Sequence, residues 1–251
     1  MTDEFKGKAA LVTGGGSGIG EAVARQLAAG GARVVVADLN RAAAQTVVDA
    51  IKADGGQAVL SVGDVAKPQD VKAAVDLAVS AFGALHLAFN NAGVAGPQGL
   101  LEDITIDGYL KLMDINLHSV FYGMYYEVPA MLAGGGGGAI VNTSSILGLV
   151  GAPAAIPYTA AKHGVAGMTK AAAIAYAARG VRINSVHPGY IDTPLLSTVD
   201  RETMAGITSQ HPIGRLGNAR EVANVVCFLL SGKASNVTGS QYTVDGGYTA
   251  Q

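Results

Sequence analysis

Cysteine, tryptophan and charge are all scarce in this chain. The single cysteine, Cys227, has no partner for an internal disulfide, so a disulfide-stapled scaffold is excluded and a reducing, cytoplasmic compartment is expected. Charged residues make up only 14% of the 251 positions against 49% hydrophobic, which excludes a disordered chain. The net charge is −2, the pI is about 6.2 and no basic run occurs, so no nucleic-acid partner is expected. No apolar run reaches the roughly 20 residues of a membrane span. The opening Met1-Thr2-Asp3-Glu4 is acidic where a signal peptide would be basic. No membrane association is therefore expected. The five histidines lack metal-ligand spacing, which argues against catalytic zinc.

Glycine, by contrast, is abundant at 35 of 251, about twice the usual share of roughly 7%. The glycines sit at the ends of short apolar runs and follow no fixed period, so a collagen-like chain is excluded. Those runs alternate with alanine-rich stretches of helical period. Strands are expected over Ala9–Val12, Arg33–Ala37, Ala58–Val62, Leu85–Phe89, Ala139–Thr143, Arg182–Val186 and Gln241–Val244. Helices are expected over Gly20–Ala29, Arg41–Ala53, Pro68–Phe82, Tyr109–Leu132, Tyr158–Ala178 and Glu221–Leu230. Such alternation predicts an α/β fold, a Rossmann-type doubly wound parallel seven-stranded sheet with helices on both faces. No repeat or linker divides residues 1–251, so one domain is expected. Residues 190–216 look irregular, and long connections in compact domains are usually functional. This stretch is read as a lobe covering the substrate.

Between the first strand and first helix lies Thr13-Gly14-Gly15-Gly16-Ser17-Gly18-Ile19-Gly20. Glycines let a backbone turn sharply and approach a pyrophosphate, and the helix N-terminus adds unpaired N–H groups. Asp38 closes the second strand 20 residues after Gly18. A carboxylate there accepts from ribose hydroxyls and repels a 2′-phosphate, which favours NAD(H) over NADP(H).

Tyr158 and Lys162 are four residues apart on a predicted helix and share a face. A free tyrosine, with a pKa near 10, is a poor base at neutral pH. A nearby ammonium and the positive charge of an oxidised nicotinamide both favour the phenolate, so a lowered pKa is expected. Ser145, just past a strand end, can donate to an oxygen that gains negative charge. Asn116 lies inside the long helix, where asparagine is a poor fit. It is read as holding a water that links to Lys162.

Together these residues resemble the Asn-Ser-Tyr-Lys tetrad of the short-chain dehydrogenase/reductase family, and the loop resembles that family's Thr-Gly-x3-Gly-x-Gly. Asn90-Asn91-Ala92-Gly93, Asp64-Val65, Pro188-Gly189 with Ile191 and Thr193, Val237-Thr238-Gly239 and Asp245-Gly246-Gly247 match further family segments. The resemblance implies catalysis by Asn116, Ser145, Tyr158 and Lys162. It implies a cofactor site built from Gly14, Ser17, Gly18, Ile19, Gly20, Asp38, Leu39, Asp64, Val65, Asn91, Ala92, Gly93, Tyr158, Lys162, Pro188, Gly189, Ile191 and Thr193. Ser145, Leu147, Tyr158 and Tyr190 are expected to meet the substrate. The wider pocket is expected to draw on Val94, Ala95, Ile146, Ile156, Leu195 and Leu196, an apolar set that suits a neutral secondary alcohol or ketone. The ending Asp245–Gln251 resembles bacterial secondary-alcohol dehydrogenases of the family, which implies a homotetramer and a possible structural magnesium near Gln251. Alternative readings are a 3-oxoacyl-thioester reductase, a sugar or polyol dehydrogenase, or a non-catalytic NAD-binding regulator. Cys227 is read as a core thiol, and His187 as either packing or cofactor-lining.

Overall fold

The computed structural model describes residues 3–196 and 200–251, without the side chains of Leu195 and Arg201. The strand β1 (Ala9–Thr13) turns Ala10 and Val12 into one hydrophobic cluster and Leu11 into another. The next strand, β2 (Arg33–Asp38), divides Val34 and Val36 from Val35 in the same way. Successive side chains of a strand point to opposite faces, so a solid valine run requires a core on each side. Helices α1 (Gly18–Ala29) and α2 (Arg41–Ala53) cover one face through Val23 and Val47. Helix α3 (Pro68–Phe82) covers the other through Val75.

The remaining strands of the sheet are β3 (Gln57–Val62), β4 (Leu87–Asn90), β5 (Gly138–Thr143), β6 (Val181–Pro188) and β9 (Gln241–Val244). Their order is β3-β2-β1-β4-β5-β6-β9, and every pairing is parallel. This is the doubly wound seven-stranded sheet expected from the sequence. The chain winds outward from β1 in one direction and from β4 in the other. Loops leaving the carboxyl ends of these neighbours therefore diverge and open a crevice.

The expected helix over 109–132 is three pieces. They are α4 (Ile106–Met113), a π-helical turn (Asp114–His118) and α5 (Ser119–Ala133). Single π turns inside α-helices recur at functional sites, and this one carries Asn116. The α6 helix (Ile156–Tyr176) begins two residues before its expected start. The stretch expected to be irregular contains a short strand β7 (Ile191–Asp192) and a helix α7 (Arg201–Ser209). It ends at β8 (Gly217–Asn218), which pairs with β7 in a two-stranded sheet. The α7 start is set by Asp200, whose carboxylate accepts from the Thr203 N–H at 2.9 Å. Helix α8 (Ala219–Leu230) returns to the sheet through Val222 and Val226 and buries Cys227, as the apolar run around it predicts. Among the described residues, no helix is long and apolar enough to cross a membrane.

Candidate active site

The crevice above β1 and β4 holds a cavity of about 340 Å³. Its walls include Gly14, Ser17, Gly18 and Ile19 from the first loop, and Asp38 and Leu39 after β2. Asp64 and Val65 follow β3, and Asn91, Ala92 and Gly93 follow β4. Each of these residues was expected to bind cofactor, and the sheet order brings them to one place. Gly20, expected with them, does not line the cavity. A side chain there would meet the Gly14 carbonyl, so Gly20 serves the close packing of α1 against the loop. Gly63 and Ile115 also line the cavity and carry no motif that would have marked them.

Two observations show that the cradle fits a dinucleotide. Gly14 has φ +62, and a Cβ on it would lie 2.9 Å from the Ala92 Cα, so only glycine leaves the crevice open. Ser17 occupies the N-cap of α1 yet makes no side-chain capping bond. The positive end of that helix therefore faces the cavity with backbone donors to offer an anion. Asp38 is held rigidly: Oδ2 accepts from the Gly16 N–H at 2.9 Å and Oδ1 from the Asn40 N–H at 2.8 Å.

A second cavity, of about 500 Å³, adjoins the first and shares Ile19, Asn91, Gly93, Val94 and Thr193 with it. Ser145, Tyr158 and Lys162 line it, together with Pro188, Gly189, Tyr190 and Ile191 from the end of β6 onward. Val94, Ala95, Ile146, Leu147 and Leu196 line it as expected. Ile156 does not; it opens α6 and is 39% exposed. The Leu195 side chain lies outside the described residues. Gln98, the 152–155 segment, Thr203 and Ile207 complete the wall. Thr203 and Ile207 sit one turn apart on α7, so the helix hidden in the 190–216 stretch is what presents them. The Asp200 N-cap was the sequence feature that could have revealed it.

Within this cavity Ser145 caps a short 3₁₀ turn, its Oγ accepting from the Leu147 N–H at 3.2 Å. Tyr158 is half-buried and lies close enough to Ser145 for that side chain to favour its ionised form. Lys162 is buried, with Nζ donating to the Thr143 carbonyl at 2.8 Å and lying 5.5 Å from the centre of the Tyr158 ring. Burial draws the Lys162 ammonium down to about 8. Burial also raises Tyr158 above the ordinary tyrosine value; the Ser145 hydrogen bond opposes this and Tyr190 adds to it. In the protein alone the direction is therefore upward, opposite to the expected lowering, because desolvation of the phenolate outweighs the Ser145 hydrogen bond.

Asn116 is fully buried, and its side chain binds one backbone residue twice. Its Oδ1 accepts from the Val94 N–H at 2.9 Å and its Nδ2 donates to the Val94 carbonyl at 2.8 Å. The oxygen and the nitrogen of the amide each spend one bond on fixing the loop after β4, which leaves one acceptor site and one N–H. Among the described residues, no group of three or more His, Cys, Asp or Glu is placed to hold a metal ion. The Gln251 amide donates to the Gln210 carbonyl at 3.2 Å.

Known proteins resemble this arrangement along its whole length. A family model described as "Enoyl-(Acyl carrier protein) reductase" matches residues 14–249. Cyclohexanol dehydrogenase of Acinetobacter sp. (strain SE19) is 57% identical, over 100% of this chain and 98% of its own. A 2,5-dichloro-2,5-cyclohexadiene-1,4-diol dehydrogenase of Sphingobium indicum is 42% identical over 98% of this chain and 99% of its own. The crystal structure of a short-chain type dehydrogenase/reductase from Mycobacterium marinum superposes with a TM-score of 0.95 at 34% identity, covering 99% of this chain and 98% of that one. The chain belongs to the short-chain dehydrogenase/reductase family and is an oxidoreductase.

Proposed function

We propose that this protein transfers a hydride between NAD(H) and a neutral, alicyclic secondary alcohol or its ketone. One observation carries the reading. Ser145, Tyr158 and Lys162 converge in an apolar cavity that continues into the glycine-walled crevice beside Asp38. Lys162 is the only Lys or Arg among the described residues lining either cavity, so nothing there clamps an anionic substrate. The relatives named for cyclohexanol and a cyclohexadienediol support a ring substrate.

Gly14, Gly18, Ile19, Asp38 and Asp64 would hold the adenosine half of NAD(H), and Gly189, Ile191 and Thr193 the nicotinamide half. The bound nicotinamide supplies or accepts the hydride. Tyr158, a phenol protonated at neutral pH, gives its proton to the carbonyl oxygen in reduction and takes it back in alcohol oxidation. Ser145 donates to the same oxygen and sets its position. The Lys162 ammonium stabilises the phenolate left on Tyr158. Asp38 supports NAD(H) over NADP(H), because its fixed carboxylate would face a 2′-phosphate. The 190–216 lobe covers the substrate with Tyr190, Leu196, Thr203 and Ile207. A homotetramer is part of this reading by family resemblance, and a cytoplasmic location by the lone cysteine.

The test is Tyr158→Phe, assayed at the nicotinamide absorbance across a panel of cyclic alcohols and ketones. Turnover falls by at least about 10²-fold, in line with general acid–base catalysis, while NADH still binds. Unchanged hydride transfer would remove Tyr158 from the mechanism. Absence of turnover with any panel member in the wild type would favour a binding role.

A further inference from the structure

His187 lies in β6, two residues beyond Ser185, and none of its surface is exposed. Its Nδ1 is 2.9 Å from the backbone carbonyl of Ser145, and its Nε2 is 2.9 Å from the Ser185 hydroxyl. A carbonyl can only accept, so Nδ1 carries the ring proton and Nε2 accepts from Ser185. Desolvation holds the ring down to about 4, which keeps that tautomer neutral throughout the working pH range.

We propose that His187 is a positioning residue for Ser145, acting through the Ser145 carbonyl to aim the hydroxyl at the substrate oxygen. This rests on the catalytic reading of Ser145 given above. Ser145 sits where the chain leaves β5 and enters a 3₁₀ turn, and its backbone needs an external anchor to hold one orientation. The turn supplies one bond, from the Gly148 N–H to the Ser145 carbonyl at 2.9 Å, but that bond moves with the turn. His187 supplies a bond from the neighbouring strand. It thereby ties the carbonyl to the rigid sheet, as the Ser144 N–H already does by donating to Val186 at 2.9 Å. An apolar side chain would fill the same space at no desolvation cost. A buried, tautomer-locked imidazole in this place makes sense as a hydrogen-bond fixture, and Ser185 is the group that locks it. Small misplacements of a catalytic group carry large kinetic costs.

The experiment compares His187→Asn with His187→Gln, each alone and in a Ser145→Ala background, with stability followed by thermal unfolding. Asparagine keeps a donor at the Nδ1 position facing Ser145, whereas glutamine places its amide toward Ser185 and loses the Ser145 bond. The expected result is that His187→Gln lowers kcat by roughly 10- to 100-fold with NADH affinity unchanged, and that His187→Asn recovers most of kcat. In Ser145→Ala, neither change lowers kcat further. Should His187→Gln fail to fold, His187→Leu, which fills the space without a donor to Ser145, carries the same comparison. Equal kcat losses in both backgrounds, equal losses for Asn and Gln, or wild-type kcat in His187→Gln would each overturn the proposal. A Ser145→Ala variant with full activity would instead overturn the catalytic reading on which it rests.

Discussion

The Asn116 side chain binds one residue twice, accepting from the Val94 N–H at 2.9 Å and donating to the Val94 carbonyl at 2.8 Å. Val94 lines both cavities, so this pair holds the junction where the two sites meet. Asn116 reaches it from a π-helical turn, fully buried. Asn116→Ala would leave two backbone groups of Val94 without these partners. Each such loss costs about 1–3 kcal/mol when the group stays buried. Val94 is 36% exposed, so water can reach those groups, and we expect a loss of about 1–2 kcal/mol in denaturant unfolding and a fall in kcat. A variant as stable and active as the wild type would show that the Val94 loop holds its shape without Asn116.

Asp38 already accepts two backbone N–H bonds, so its carboxylate cannot swing away from an incoming 2′-phosphate. The wild type is expected to prefer NADH to NADPH in kcat/KM. Asp38→Asn removes the negative charge while retaining one acceptor oxygen. The ratio should move toward NADPH by at least about tenfold, worth about 1.4 kcal/mol. A wild type that prefers NADPH would refute the assignment.

Burial raises Tyr158 above the usual tyrosine value in the protein alone. The phenol is therefore protonated at neutral pH, ready to act as an acid. Comparing ultraviolet tyrosinate absorbance of wild type and Tyr158→Phe should show no difference until well into the alkaline range. Adding NAD⁺ brings a positive charge beside the ring and should shift that difference to lower pH. A tyrosinate contribution from Tyr158 at neutral pH in the free protein would show that the Lys162 ammonium overrides desolvation.

Glu127 on α5 is wholly buried. One oxygen accepts from the Asn90 amide at 3.0 Å, and the other has no partner among the described residues. Burial pushes its carboxyl up to about 7, with the Asn90 hydrogen bond opposing. The folded state therefore holds this proton between the unfolded carboxylate value near 4.5 and about 7. Within that window the native state binds more protons than the unfolded state, so stability falls as pH rises. Above about 7 the full cost is present, on the order of 3 kcal/mol. Glu127→Gln should flatten this slope and raise the unfolding midpoint most at alkaline pH. An identical pH profile in the variant would mean Glu127 ionises in the native state as it does in water.

Local chemistry determined much of this protein. The valine run of β2 requires two cores, and the glycine loop before α1 requires a close backbone approach. Tyr158 and Lys162 share a helix face through their spacing alone, and the alternation of elements implies the doubly wound sheet. All of these follow from periodicity, turn chemistry and spacing, which act over a few residues. The lobe helix α7 was harder to read because its apolar positions are few and its start is marked by a single capping Asp200. Other features arise between segments distant in sequence. Asn116 meets Val94, His187 meets Ser145, and Glu127 meets Asn90 across 22, 42 and 37 residues. Each is a hydrogen bond made by a buried side chain to a distant segment, and no local pattern selects such a partner. Only the strand order, by bringing the ends of β4, β5 and β6 side by side, decided which buried donor would find which acceptor. The same packing placed Tyr158 where desolvation raises its pKa against the Ser145 hydrogen bond, a balance that spacing does not contain.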